Sequence, residues 1–401
     1  MRRTPIFNLN LVLLSSLGII LSYIKFSPCI NENFSGLSAT SRGCYSDIPI
    51  FWGSHLLEAH LWPYQFTSIL GIEQVINPIE YPFLTGLVIW MISFITLNPD
   101  TFGVSFFFIN SLINSFLFIT TVLLINKIKP KSSIYFALAP AVFFSIFINW
   151  DLYAVATTLL AIYFYDKNKL LLSAFFLATA VSFKFYPIVL FFAILIIGVR
   201  RKQIYNTVLF VLQTFMFFIL INIIPILIDF KGWLYFYQVS LNRKVGSGSL
   251  WEFLALSGIE VKSLNYLAVF ATFLTYLVIA IYFFKFHEEI NLATMAFLCV
   301  FAFVLFNKVY SPQFVIWLTA LAVFVLNRNI QKYFFVLWQF SELVFHFAVW
   351  RYLYWQGYGN KSSGITDQTF KWLIAFRIVC LLLFVSTLIF RNHFSVRETS
   401  S

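Results

Sequence analysis

The feature that most constrains this chain is a near-continuous succession of apolar runs separated by short charged breaks. Thirteen such runs fall at 9–26, 83–97, 103–126, 133–148, 152–166, 169–183, 187–199, 205–228, 263–286, 291–307, 312–326, 331–350 and 369–390. A bilayer offers backbone N–H and C=O groups no partner, so runs of this kind fold as helices. Several are shorter than the ~20 residues that a spanning helix needs. Only 11% of the residues are charged and 60% are hydrophobic, whereas soluble domains carry about 25% charged residues. A soluble enzyme, a nucleic-acid binder and a disordered chain are excluded on that ground. No internal repeat is evident, and residues 1–401 read as one all-α, polytopic membrane domain. The first run lacks a small-x-small cleavage site and reads as an anchor rather than a signal peptide.

The net charge of +11 reports loop topology in such a chain, because short cytoplasmic loops collect Lys and Arg. Arg2–Arg3, Lys127–Lys131, Lys167–Lys169, Arg200–Lys202, Arg328–Lys332 and Arg391–Arg397 are therefore expected on the cytoplasmic side. One run too many then precedes Lys127. The 83–97 run is short and follows Pro82, so it reads as an interfacial or re-entrant helix. About twelve spans of the cell membrane remain, with both termini cytoplasmic. Residues 27–102 become a long external segment with juxtamembrane helices, and 229–262 a second external loop. The polar breaks Asn149-Trp150-Asp151, Ser182–Pro187 and Asn307–Gln313 fall on that same side. A transporter more often keeps its polar residues near the bilayer midplane. Polar groups gathered on one face suit an enzyme site at the membrane surface.

Cys44-Tyr45-Ser46-Asp47-Ile48-Pro49 followed by Phe51-Trp52-Gly53-Ser54-His55 is the richest stretch. Asp47 has the chemistry of a general base toward a hydroxyl acceptor; it equally reads as the cap of a helix that begins at Ile48-Pro49. In Glu80-Tyr81-Pro82-Phe83-Leu84-Thr85-Gly86, Pro82 starts the short helix and leaves Glu80 at the water interface, as a plain helix-start turn would. Lys308 lies between two apolar runs, Lys184 ends another, and Arg243 sits in the loop Asn242–Trp251. Each alone is ordinary snorkelling. Three on one face without an acidic cluster point to an anion, and a lipid phosphate is the obvious one at that depth. No Gly-rich phosphate loop and no metal-ligand spacing appears. His55 and His60 are five apart and do not share a helical face, and His287-Glu288-Glu289 reads as a solvated turn.

A large first external loop with an acidic residue near its start, short juxtamembrane helices and a late Ser311-Pro312-Gln313-aromatic motif resemble the GT-C class of integral-membrane glycosyltransferases. The likeness is to bacterial polyprenol-phosphate-mannose-dependent α-mannosyltransferases. It is carried, in order, by Cys44–Ile48, Glu80–Gly86, Asn149–Ala156, Lys184–Pro187 and Lys308–Gln313. The resemblance implies inverting transfer of a hexose, mannose in the first instance, from a polyprenyl-phosphate sugar to a hydroxyl on the outer face. The acceptor would be a glycolipid, a lipid-linked glycan or a protein. Asp47 matches the catalytic Asp. Lys308, Arg243 and Lys184 are the candidates for the leaving phosphate, and Glu80, Tyr45, His55, Trp150, Asp151, Tyr310 and Gln313 for the lining of the site. Asp47 is followed by Ile48 and Pro49 rather than by a second acid, so neither a metal nor another cofactor is expected beyond the sugar donor.

The alternative is a transporter or flippase for a lipid-linked glycan, using the same basic groove; its weak point is that charge gathers on one face. A glycan ligase should have a larger external loop than 229–262. Two pairings complete the expectation. Cys29 and Cys44 lie in the external segment, where oxidation is possible, whereas Cys299 and Cys380 lie within runs. A bridge between the first two should stabilise the fold by about 3 kcal/mol in the chain-entropy model. Glu342 and Arg377 each lie eight residues from the outer end of their runs, hence at one depth of about 12 Å. They are expected to pair, with Arg377 on the donor phosphate as the functional alternative.

Overall fold

A computed structural model describes residues 8–68, 75–96, 103–286, 291–358 and 364–389. The described chain is helical apart from a two-residue antiparallel ladder, in which Thr67 pairs with Ile76 and Ser68 with Val75. Six helices among the described residues are long and apolar enough to cross a bilayer: Leu9–Asn31, Val104–Ile128, Ile204–Ile228, Leu264–Phe286, Asn329–Tyr358 and Asp367–Ile389. The chain is thus a polytopic membrane protein. The other runs form shorter helices, Phe83–Ile95, Asp151–Asp166, Leu170–Phe183, Leu190–Arg200, Leu292–Phe306 and Phe314–Ala322. Arg2–Arg3, Arg391–Arg397 and His287-Glu288-Glu289 lie outside the described residues.

The shortest apolar helices are the most enclosed. All nine residues of Phe314–Ala322 are buried, and so are twelve of the fifteen in Leu292–Phe306. A helix hydrophobic all round is surrounded by protein or lipid, and here protein surrounds it. Ile204–Ile228 and Leu264–Phe286 are instead largely exposed and present their apolar surface outward. Asp151–Asp166 and Leu170–Phe183 form a tight helical hairpin, as do Asn329–Tyr358 and Asp367–Ile389.

The run 133–148 does not form the single helix that its hydrophobicity leads one to expect. It divides into Ser133–Ala137 and Pro140–Phe143, followed by turns to Trp150. Pro140 is the cause: its ring drives the preceding residue away from helical geometry, and Ala139 is extended at φ −71°, ψ 110°. The segment 27–102 holds the helices Gly36–Ser41, Asp47–Ser54 and Phe83–Ile95, the last starting behind Pro82 as expected. The loop 229–262 is largely helical too, at Phe230–Asn242, capped by Asp229, and Leu250–Leu256, capped by Ser249.

Both expected pairings are present. Cys29 and Cys44 form a disulfide that ties the end of the first helix to the approach of Asp47. Glu342 and Arg377 form a buried ion pair, with Arg377 Nε 2.8 Å from Glu342 Oε2. Glu342 Oε1 also accepts from Tyr310 Oη at 2.6 Å and Trp338 Nε1 at 2.9 Å, and Arg377 Nη1 donates to the Tyr310 carbonyl at 2.7 Å. The guanidinium is fully buried and lies 3.3 Å from the centre of the Tyr310 ring. Arg377 is therefore a strut between two long helices and the 307–313 segment, and its donors are occupied by protein.

Breaking a buried ion pair from one side leaves an uncompensated charge and costs about 3–5 kcal/mol. Arg377→Gln should accordingly lower both the yield of folded protein and its thermal midpoint, and Glu342→Gln/Arg377→Gln should recover part of the loss. A double variant no more stable than the single one in a thermal-unfolding assay contradicts the strut.

Candidate functional site

The site begins where the Asp47–Ser54 helix docks on the unwound stretch before Trp150. Ser46 caps that helix, its Oγ accepting from Ile48 N at 3.2 Å. The same hydroxyl donates to the Phe147 carbonyl at 2.7 Å, and Asp47 N donates to the Ile148 carbonyl at 2.8 Å. The capping role open to Asp47 in the sequence thus falls to Ser46, the residue before it. Asp47 is the first helical residue, and its carboxylate is left for other partners.

Those partners are phenols and charges. Tyr81 Oη donates to Asp47 Oδ2 at 3.1 Å, and Tyr45 is a second phenol that stabilises the anion. Burial pushes the Asp47 carboxyl above the usual carboxylate range, and the nearby Asp151 adds to that push. Tyr45, Lys184 and Tyr81 act in the opposite sense. The Tyr45 hydroxyl is itself raised, chiefly by the charge of Asp47 and then by burial. Asp47 as a whole residue is half-buried.

Asp151 starts the helix Asp151–Asp166, and Lys184 follows the end of Leu170–Phe183. The hairpin returns the second of these ends to the first, and Lys184 Nζ lies 2.6 Å from Asp151 Oδ1, with the Asp151 side chain fully enclosed. The ammonium also sits 4.4 Å above the ring of Tyr81, whose hydroxyl holds Asp47. Aromatic rings frame the cluster. Trp150 meets Tyr81 and Phe51 edge-on at 5.5 and 5.6 Å, and Tyr45 stacks on Trp350 at 4.6 Å. His55 bonds Ser54 and stacks on Phe51, whose ring meets Tyr81 edge-on. Burial lowers its pKa to about 4, so it is neutral at neutral pH.

Beside Tyr81, Glu80 meets Arg243 at 3.1 Å in an exposed pair. They line an open cleft of about 520 Å³ with Tyr235, Gln238, Val239 and Asn242. Lys308 donates to the Leu241 carbonyl at 2.8 Å, and partial burial together with the neighbouring Arg243 lowers its pKa. Arg243 thus lines this cleft, and Lys308 is its neighbouring cation. Lys184 belongs to the carboxylate cluster. Tyr310 is committed to Glu342, and the side-chain oxygen of Gln313 is buried without a hydrogen bond.

The structure thus gathers Asp47, Tyr45, Trp150, Asp151 and Lys184 into one cluster, and Glu80 and Arg243 at an adjoining cleft, with Lys308 beside Arg243. Sequence reasoning passed over Tyr81 and Ser46 as functional residues, although both stand inside the motifs it singled out. Their neighbours Glu80 and Asp47 drew the attention because they are charged.

The cap assignment has a direct test. Ser46→Ala should destabilise the protein by about 1–2 kcal/mol, as loss of a helix cap does. Asp47→Asn should leave the thermal midpoint essentially unchanged, because an uncharged carboxamide replaces a carboxylate that burial already disfavours. The reverse order of thermal midpoints would return the cap to Asp47.

No protein-family model matches this chain, and no curated protein is similar to it in sequence.

Proposed function

We propose that the chain is an integral-membrane glycosyltransferase that moves a hexose, mannose in our reading, from a polyprenyl-phosphate sugar to a hydroxyl acceptor on the outer face of the membrane. The observation that carries this reading is a half-buried carboxylate, Asp47, relieved of capping and held by Tyr81, whose chain neighbour Glu80 pairs with Arg243 in the lining of an open cleft. The Cys29–Cys44 disulfide supports an oxidising compartment for the segment that carries Asp47.

In this mechanism the Asp47 carboxylate takes the proton of the acceptor hydroxyl as the acceptor oxygen bonds to C1 of the sugar. The bond between C1 and the phosphate oxygen breaks, and its electron pair leaves with the polyprenyl phosphate. Attack and departure on opposite faces invert C1. Charge develops on the departing phosphate, where positioned cations stabilise it; Arg243 and Lys308 take that part, with Glu80 releasing Arg243 as the phosphate enters. The acceptor is a glycolipid, a lipid-linked glycan or a protein, and membrane lipid surrounds the whole reaction.

Transfer from radiolabelled polyprenyl-phosphate mannose to a glycolipid acceptor, by purified protein in vesicles, tests the reading. Asp47→Asn should abolish transfer with the fold intact. Lys308→Ala and Arg243→Ala should each weaken donor use by about 1.5–3 kcal/mol, the range for charged hydrogen bonds. Substantial transfer by the Asn variant removes the base, and unchanged donor kinetics in both Ala variants remove the phosphate site. Passage of the labelled lipid across the bilayer without transfer would favour a lipid-linked glycan transporter.

A further inference from the structure

Asp47 is not the sole carboxylate here. Asp151 lies beside it, and one ammonium, Lys184, serves both. Three ionised groups in an enclosed setting then carry a net charge of −1, and two neighbouring carboxylates do not both ionise readily without a cation between them.

Asp151 has the stronger hold on that cation. It begins a helix, where the backbone dipole favours an anion. Its backbone N–H is fixed by Asn149 Oδ1 at 3.1 Å. The 2.6 Å ion pair therefore places the ammonium in one position, over the Tyr81 ring. A cation on the face of a phenol withdraws electron density from it and makes its hydroxyl a better donor. That hydroxyl is the one bonded to Asp47.

We infer that Asp151 and Lys184 are positioning residues for Asp47: Asp151 anchors Lys184, and Lys184, directly and through the Tyr81 phenol, keeps the Asp47 carboxylate ionised and aimed at the acceptor. This rests on the proposed transfer reaction for its kinetic consequence, and on the three-residue geometry alone for its electrostatic one. The groups around Asp47 allow few rivals. The packed helix Val104–Ile128 has Lys127 as its one charged residue, at the opposite end. The 3-10 turn Leu57–Ala59 brings only Glu58, which is exposed, as is the adjoining His60. The stretch 144–150 carries no charged or titratable side chain. Tyr45 and the neutral His55 stand on the segment of Asp47 itself.

The sign of each effect follows. Removing Lys184 raises the pKa of Asp47, so the acid limb of the transfer rate should move to higher pH. Removing the charge of Asp151 leaves Lys184 to Asp47 alone, so the limb should move to lower pH. The experiment records the pH–rate profile together with an infrared titration of the Asp47 carboxyl band, taken as the difference between each protein and its Asp47→Asn counterpart. Lys184→Met should shift both readings upward by about one unit or more without raising the donor KM. Lys184→Arg should stay near the parent, Asp151→Asn should shift downward, and Asp151→Asn/Lys184→Met should return toward the parent. If Lys184→Met does not fold, Asp151→Asn and the double variant carry the same comparison. Shifts of one sign in both single variants, or none, overturn the inference, as does a raised donor KM with an unmoved limb. A parent protein that transfers nothing overturns the enzymatic reading, while the infrared titration still decides the electrostatic one.

Discussion

The site depends on how one unwound stretch of backbone, Phe144 to Trp150, is satisfied inside a helical membrane protein. Buried open backbone survives only where other groups take up its carbonyls. Four residues on three elements supply them. Lys25 on the first helix bonds the Phe144 carbonyl at 3.1 Å, and Asn114 bonds those of Ile146 and Asn149 at 2.9 and 3.0 Å. Ser46 takes that of Phe147 and the Asp47 amide that of Ile148. The stretch thereby fixes the start of the Asp47–Ser54 helix against the start of the Asp151–Asp166 helix. Asp47 and Asp151 are neighbours because Asp47 N takes the Ile148 carbonyl and Asp151 directly follows this stretch in the chain. The disulfide from Cys29 to Cys44 holds the other side of the arrangement.

The two enclosed ion pairs show how similar chemistry serves different ends. Arg377 has no exposed surface, and its fork is divided between Glu342 and the carbonyls of Tyr310 and Ser311. Nothing remains for a ligand, and the pair acts as a joint between helices. Lys184 is a point charge with further donors and some exposure, set between an anchored carboxylate and a half-buried one. The first arrangement fixes structure; the second suits the control of a base.

Much of this was legible from residues. The location of Cys29 and Cys44 and the equal depth of Glu342 and Arg377 suffice for both pairings, because membrane geometry converts sequence distance into height. The same logic would have found Lys184 with Asp151: they bracket two consecutive helices of 16 and 14 residues, nearly equal in length, so the ends must meet. The break at Pro140 was less visible, because the residues on both sides are apolar and hydropathy does not register a missing N–H. Helices such as Phe314–Ala322 defeat the length rule for another reason. They are sheltered by protein and need not match the thickness of a bilayer. That Arg243 would meet Glu80 follows from packing between segments 163 residues apart, which no local pattern encodes.

The proposed mechanism is a single displacement at C1, with Asp47 taking the acceptor proton and no covalent sugar–protein intermediate. The most direct measurement is the anomeric configuration of the first product, followed by NMR during transfer from a donor of defined anomer. Every initial product should carry the configuration opposite to the donor. A product that retains the donor configuration would overturn the mechanism, because a single in-line displacement with Asp47 as base must invert C1.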